Sequence, residues 1–240
     1  MRFNPPLQPG RILRRYRRFL ADIELPDGRQ VTAHCPNPGR MQACWAPGWE
    51  VRLSDHADAA GGLPAGRRLR WTLELVHNSR CWIGVNTLLT NRIAAEAITA
   101  GRIPELAGFD RLLPEQRCGR HHRLDFIGET PGGRCYLEVK SVTLVDPDGR
   151  YRFPDAVTTR GASHCRLLAR RRRQGDRAVL LFVTQRSDGS SFSPAHTIDP
   201  EYARALRTAW RAGVEVLPYL ADVDPAGIEL STRQAPLRWD

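Results

Sequence analysis

The sequence predicts an α/β protein in two parts, a small OB-like β-barrel in residues 1–85 and an α/β domain with a mixed central sheet in residues 86–240. Two observations predict this organisation. Before residue 86 the chain alternates short strand-like segments with turns, and helix-forming segments begin only after it. The apolar run at residues 177–184 is typical of a strand that is buried on both faces.

The first part contains about five strand-like segments and little that would form a helix. They lie at residues 11–25, 30–34, 49–53, 68–76 and 81–85. Turn residues separate them, including the Pro-Asp-Gly that follows residue 25. Several short strands of this kind favour a small barrel or sandwich, and we expect an OB-like barrel.

The second part alternates strands with helices. Helices are predicted over residues 90–100, 163–174 and 199–211, each ended by a glycine within two residues. Strands are predicted at residues 112–118, 123–127, 136–140, 177–184 and 214–217, and residues 141–162 are expected to be mostly irregular. This order is typical of an α/β domain.

Lys140 is the single lysine in a chain with 36 basic residues, the rest of which are arginines. Arginine is a planar, permanently charged fork, whereas lysine is a compact point charge on a flexible stem. A site that keeps lysine where the composition otherwise favours arginine suggests chemistry at that site. The alternative is a single lysine that survived by chance.

Two carboxylates are predicted to lie beside this lysine. The segments around Asp125 and Glu138 alternate apolar and charged residues, and a Gly- and Pro-rich turn at residues 128–134 separates them. A hairpin that is symmetric about residues 131–132 places Asp125 across from Glu138 and turns Glu138 and Lys140 to one face. Facing carboxylates repel unless a cation lies between them, and their oxygen ligands suit Mg²⁺ or Mn²⁺.

The net charge of +10 and the isoelectric point near 10.0 favour a polyanionic partner. Nucleic acid is a better fit than an acidic membrane surface, and a generic arginine-rich composition is the alternative.

The six cysteines form no Cys-x-x-Cys pair, and no run approaches the roughly 18 apolar residues of a membrane span. We therefore expect a cytoplasmic protein with DNA as partner and no membrane partner, and homodimerisation stays open.

The order of elements around Asp125 and Glu138-x-Lys140 resembles the core of restriction-endonuclease-like, PD-(D/E)xK enzymes. The resemblance implies that Asp125 and Glu138 hold Mg²⁺ or Mn²⁺ and that Lys140 polarises the attacking water. It also implies that Glu96, on the first predicted helix, is an additional and often water-mediated ligand. These parts meet the two needs of phosphodiester hydrolysis, which are a nucleophile at neutral pH and charge stabilisation.

One departure from that signature concerns its proline. Leu124, not proline, precedes Asp125, and the Pro154-Asp155 pair follows the lysine in the wrong order.

A zinc site is an alternative for Cys118 and His121, but the Cys-x-x-His spacing lacks a second pair.

Several runs of sequence along the chain form a more specific pattern. They lie at residues 5–7, 15–22, 34–37, 85–87, 138–144, 153–158 and 160–161. This pattern resembles the sugar fermentation stimulation protein family of bacteria and archaea. The resemblance implies an OB-like domain joined to a nuclease-like domain, DNA binding with little sequence preference and a regulatory link to maltose use. His122 stands where family members usually carry serine.

Several basic and aromatic residues are candidates for contact with DNA. They are Arg14, Arg15, Tyr16, Arg17, Arg18, Arg123, Arg160 and His164. The arginines at 170–173 could also follow a DNA backbone or form a solvated helix face.

Three functions are compatible with the pattern: a metal-dependent nuclease, a non-catalytic DNA-binding regulator that keeps the fold, and a small-molecule enzyme that uses the same metal.

Overall fold

The computed structural model describes residues 1–119 and 122–239. Within these residues the chain forms fifteen strands and three α-helices. The strands are β1 (Gln8–Tyr16), β2 (Leu20–Glu24), β3 (Gln30–His34), β4 (Glu50–Asp55), β5 (Trp71–His77), β6 (Trp82–Gly84), β7 (Arg111–Arg117), β8 (Arg123–Thr130), β9 (Gly133–Val142), β10 (Leu144–Val145), β11 (Arg150–Phe153), β12 (Arg177–Thr184), β13 (Ser191–Pro194), β14 (Glu215–Asp224) and β15 (Gly227–Gln234). The helices are α1 (Thr90–Thr99), α2 (Thr159–Arg173) and α3 (Pro200–Arg211).

The first five strands close into a barrel in the order β3-β2-β1-β4-β5. Closure comes from parallel pairing of β3 with β5, where Ala33 lies beside Trp71. Alternate residues such as Ile12 and Leu73 are fully buried inside. The predicted OB-like barrel is therefore confirmed, with β6 added to the outer edge of β5.

The predicted single strand over residues 11–25 was wrong. The segment is a hairpin, in which β1 pairs with β2 and Tyr16 lies opposite Leu20. The turn consists of Arg17, Arg18 and Phe19, and the φ angles of Arg17 and Arg18 are 46° and 64°. Turn positions with positive φ usually carry glycine or asparagine, so two arginines gave no sequence signal for a turn.

Replacing Arg17 by asparagine and Arg18 by glycine is expected to stabilise the protein. Positive φ is unfavourable for arginine, whereas the Asn-Gly pair adopts it readily. We expect a gain of about 1 kcal/mol, which corresponds to a rise in the melting temperature of roughly 2–4 °C for a chain of this size. Thermal unfolding followed by circular dichroism measures this, and an unchanged or lower melting temperature would count against a strained turn.

The second part is built on a six-stranded sheet in the order β15-β14-β12-β9-β8-β7. β12 runs parallel to β9 and β14, and the other neighbouring strands are antiparallel. Helices α2 and α3 pack through Leu168 and Leu206 on one face, and α1 packs through Ile93 on the other. The predicted α/β domain with a mixed central sheet is confirmed.

Three predictions in this part were wrong. Residues 141–162 are not irregular, because β10 and β11 form a small sheet with β13. α2 begins four residues before the predicted start, where the Thr158 hydroxyl accepts a hydrogen bond from the amide of Gly161 at 3.1 Å and so caps the helix. The strand at 214–217 is not the last: β14 continues to Asp224 and pairs with β15, whose apolar pattern was too short to detect.

The barrel is fastened to the second part by the loop that follows β3. The Met41 amide donates to the Asp155 carboxylate at 3.2 Å. A Cβ on Gly39 would lie 2.0 Å from that carboxylate, so any other residue at position 39 would displace Asp155 from this contact. Pro154-Asp155, which fits the nuclease signature in the wrong order, thus holds the barrel loop. Among the described residues, no helix is long and apolar enough to cross a membrane.

Candidate active site

The β8–β9 hairpin has the predicted register. Thr130 lies opposite Gly133, and pairing continues to Phe126 opposite Leu137. One further step places Asp125 across from Glu138. There the strands separate, and the Asp125 carboxylate accepts a hydrogen bond from the Val139 amide at 2.8 Å. The fold therefore brings together the two carboxylates that the sequence predicts to face each other.

The predicted regular alternation of β8 was wrong around Asp125. Leu124 packs in the core with α2 and α3, whereas Phe126 packs in the core with α1. Regular alternation would have put both side chains on one face. The distortion brings Asp125 within reach of α1, where the Asn91 amide donates to its carboxylate at 2.9 Å.

Glu138 is the most constrained group in the site, with an exposed fraction of 3%. Its Oε1 interacts with both Lys140 Nζ and His164 Nδ1. Its Oε2 is buried and has no hydrogen-bond partner among the described residues. A buried carboxylate oxygen without a partner is costly, which makes Oε2 the candidate ligand position at this site.

The two carboxylates have opposite pKa shifts. Burial raises the pKa of Asp125, and the nearby charge of Glu138 raises it further. Burial would also raise the pKa of Glu138, but the hydrogen bond from His164 and the charge of Lys140 outweigh it and lower that pKa. Glu138 is thus kept ionised, and a cation beside both groups would favour the ionised form of Asp125.

The side chains at this site provide part of the ligand set that a hard divalent cation requires. Within residues 1–119 and 122–239 no three His, Cys, Asp or Glu side chains form a metal-binding group. Asp125 and Glu138 nevertheless provide two carboxylates, and Glu138 Oε2 has no other partner. Mg²⁺ commonly binds through one or two carboxylates with water completing its shell, so this pair suits it or Mn²⁺.

An open groove lies next to the site and reaches His164, which contacts Glu138. It is lined by Glu115, Arg117, His122, Arg123, Arg160, Ser163 and His164. The ring of His122 lies edge-on to that of His164, with centroids 5.8 Å apart. Arg123 and Arg160, which the sequence predicts to contact DNA, are both exposed, and Arg123 pairs with Glu115. His121 lies outside the described residues.

The prediction that His164 contacts DNA needs correction. Its exposed fraction is 1%, because α2 places it against Glu138 in the interior. The spacing from Arg160 suggested a shared helix surface, but a four-residue spacing does not reveal which face of the helix is buried. His164 therefore helps to hold Glu138.

The prediction that Glu96 belongs to the site also needs correction. Its carboxylate pairs with the amino group of Met1 at 2.8 Å and with Arg92 at 2.9 Å. Asn91, earlier on the same helix, is the α1 residue that contacts Asp125. Sequence analysis missed Asn91, and its position at the start of the predicted helix gave no signal for this role.

Some of the barrel residues that the sequence predicts to contact DNA form hydrogen bonds within the protein. Arg15 donates to the carbonyl oxygens of Asn37 at 2.9 Å and Gly39 at 3.0 Å, so it holds the barrel loop and is not a free surface cation. Arg14 and Tyr16 both bond to Asp22, at 2.7 Å and 3.0 Å. Arg17 and Arg18 are exposed at the hairpin tip.

Family models match both parts of the chain. Residues 13–85 match the "SfsA N-terminal OB domain", and residues 88–227 match the "Sugar fermentation stimulation protein RE domain". The second match alone covers more than half of the chain. The chain belongs to the sugar fermentation stimulation protein family. The resemblance inferred from the sequence is thereby confirmed.

Relatives in this family match over nearly the whole chain. The sugar fermentation stimulation protein homolog of Pelobacter propionicus is 50% identical over 95% of this chain and 96% of its own length. The homolog of Geobacter sulfurreducens is 50% identical over 95% of both chains. The structure of Pyrococcus furiosus SfsA in complex with Ca²⁺ superposes with a TM-score of 0.86 at 26% identity, covering 99% of this chain and 98% of that one.

Proposed function

We propose that this member of the sugar fermentation stimulation protein family is a phosphodiesterase that cleaves DNA with little sequence preference and uses Mg²⁺ or Mn²⁺. The observation that carries the proposal is the buried Oε2 of Glu138, beside Asp125 and next to the single lysine, for which the described part of the chain offers no hydrogen-bond partner. The P. furiosus relative was solved with Ca²⁺, another hard cation that takes oxygen ligands, and this supports a divalent cation here.

Each residue has a distinct role in this proposal. Asp125 and Glu138 would hold the metal, which supplies a nucleophilic water at neutral pH and neutralises phosphate charge. His164 and the Val139 amide fix the two carboxylates in place. Lys140 Nζ, held at Glu138, places a positive charge where negative charge develops on the phosphate.

DNA is the proposed substrate because of charge and access. The chain carries a net charge of +10, and the groove at the site is lined by three arginines, Arg117, Arg123 and Arg160. Cations of this kind contact phosphates without reading base sequence. The sugar-related family name is compatible with a regulatory role of the same DNA binding.

A non-catalytic DNA-binding regulator is the second candidate. Lys140 and His164 both interact with Glu138 Oε1, so the charge of this carboxylate is compensated even without a metal. A site that only stabilises the fold would need the same compensation. This candidate predicts salt-sensitive DNA binding that is unchanged by Lys140→Ala, with no cleavage of any DNA form.

Glu138→Gln and Glu96→Gln form a matched pair for testing the proposal. Both remove one carboxylate charge, but only Glu138 lies at the site. With Mn²⁺ or Mg²⁺ and supercoiled plasmid, we expect nicking by the wild type, a loss of about 10²-fold or more in Glu138→Gln, and near wild-type nicking in Glu96→Gln.

Calorimetric titration with Mn²⁺ provides a second readout, with heat of binding expected for wild type and Glu96→Gln but not for Glu138→Gln. If the wild type neither binds the metal nor nicks plasmid while it still binds DNA, the catalytic proposal is wrong and the second candidate stands.

A further inference from the structure

A shallow groove runs between α2 and α3 on the outer side of the second part. The two helices lie side by side in the same direction. Arg166 in the middle of α2 pairs with Glu201 at the start of α3, and Arg172 near the end of α2 bonds to Gly213, just after α3. The floor consists of Ala169, Ala205 and Ala209. Small side chains leave the groove open along its length.

The walls of this groove are basic. Arg166 and Arg173 of α2 line it. Arg170 lies beside them on the helix surface, at spacings of four and three residues, so the three exposed arginines form one stripe at the edge of the groove. Arg204 adds a cation from α3. Among the described residues no carboxylate lies within ion-pair distance of Arg170, Arg173 or Arg204, and Glu201 at the Arg166 end is the acidic residue of the lining.

This stripe is continuous with the candidate active site. The first turns of α2 carry Arg160 and Ser163, which line the groove that reaches His164, the partner of Glu138. Arg166 follows Ser163 by three residues and therefore lies next to it on the helix surface. From Arg160 to Arg173 the basic surface extends for roughly 20 Å at 1.5 Å per residue.

We propose that the groove between α2 and α3 binds the phosphodiester backbone of the DNA strand that enters the candidate active site. This inference rests on the proposed function, because it names the path of the same substrate. The arginines at 166, 170 and 173 span roughly 10 Å of helix, enough for about three phosphates at 3.4 Å per strand.

The composition of the groove favours DNA over a protein partner. Protein interfaces depend on buried aromatic and large apolar anchors in pockets. The lining holds only alanines among its apolar residues, together with Arg166, Arg173, Arg204, Thr208 and Glu201. A shallow basic channel with a smooth floor can follow a uniform polyanion but offers no pocket for an apolar anchor.

The test measures binding of a short fluorescein-labelled DNA duplex by anisotropy from about 50 to 200 mM salt. The test variant carries Arg166→Gln, Arg170→Gln and Arg173→Gln. The control variant carries Arg92→Gln, Arg102→Gln and Arg111→Gln, which removes equal charge from α1, the residues after it and β7. A third variant carries Arg→Lys at positions 166, 170 and 173.

We expect the test variant to bind roughly tenfold to a hundredfold more weakly and the slope of log K against log salt to fall by about 2–3, close to 0.9 per lost phosphate contact. The control and lysine variants should stay within about threefold of wild type because they leave the charge of this groove unchanged. Glu201→Gln should bind a few times more tightly, because it removes the acidic group of the lining. Thermal unfolding should show that all variants are folded.

The outcomes separate the two proposals. If the wild type binds DNA and the test variant binds with equal affinity and slope, the inferred path is wrong and the proposed function stands. If test and control variants weaken equally, the effect is one of net charge and the path is again wrong. If the wild type does not bind DNA at all, both proposals fail.

Discussion

Lys140→Ala is expected to reduce metal-dependent nicking of supercoiled plasmid by about 10²–10³-fold while DNA affinity stays within twofold of wild type. Lys140 Nζ is held at Glu138, and its side chain is only 15% exposed. Its charge therefore acts in a largely desolvated place, where it stabilises developing negative charge more than it would in water. Nicking assayed at matched DNA occupancy measures the effect.

Lys140→Arg is the informative companion variant. It keeps the charge, but a planar guanidinium cannot occupy the compact position of the ammonium group beside Glu138. We expect it to recover less than about a tenth of the wild-type rate. If alanine at this position leaves nicking intact, the single lysine has no catalytic role and the assignment of the site is wrong.

Arg186→Ala is expected to lower the free energy of unfolding by about 3–5 kcal/mol, the range for breaking a buried ion pair. The Arg186 side chain is 2% exposed and forms two hydrogen bonds of 2.6 Å to Asp188. It also donates to the carbonyl oxygens of Thr143 at 2.6 Å and Ala43 at 3.1 Å. Alanine would leave the two carbonyl oxygens without this donor and Asp188 without its cation, and it would remove one link between the barrel loop and the second part.

Denaturant unfolding provides the measurement, with Arg233→Ala as the control. Arg233 also pairs with an aspartate, Asp222, but both side chains are more than half exposed. Exposed pairs contribute about 0–1 kcal/mol, so the control should change stability little. Equal effects of the two variants would show that burial of the Arg186 pair does not matter.

The same ion pair predicts a dependence of stability on pH. Burial would raise the pKa of Asp188, but the hydrogen bonds and charge of Arg186 outweigh it and lower the pKa to about 2 from an ordinary 3.8. The stabilisation is therefore complete above about pH 4 and is lost as the pH falls towards 2. Unfolding measured across this range should show a smaller loss in Arg186→Ala, and identical pH profiles would contradict the role of the pair.

The paired carboxylates could be predicted from the sequence because the register of a hairpin is determined by its turn and its two strands. A strong turn signal and period-two alternation set the register, and the register placed Asp125 across from Glu138. The predicted barrel and mixed sheet also followed from segments whose apolar periodicity reflects burial. These features depend on residues close together in the chain.

The remaining parts of the site depend on contacts between distant segments. His164 and Asn91 reach Glu138 and Asp125 from helices 26 and 34 residues away along the chain. Helical periodicity did not show that His164 faces the sheet or that Glu96 is drawn to Met1 instead. The Arg17-Arg18 turn escaped detection because its positive φ angles are imposed by the pairing of β1 with β2.

The central claim is that Asp125 and Glu138 together hold a divalent cation. Anomalous diffraction from crystals grown with Mn²⁺ tests it most directly, because the signal locates the metal without assuming any activity. We predict a peak between the Asp125 and Glu138 carboxylates, on the Oε2 side of Glu138, and its loss in Glu138→Gln. Crystals that show no peak there, with Glu138 bonded to Lys140 and His164 alone, would contradict the claim.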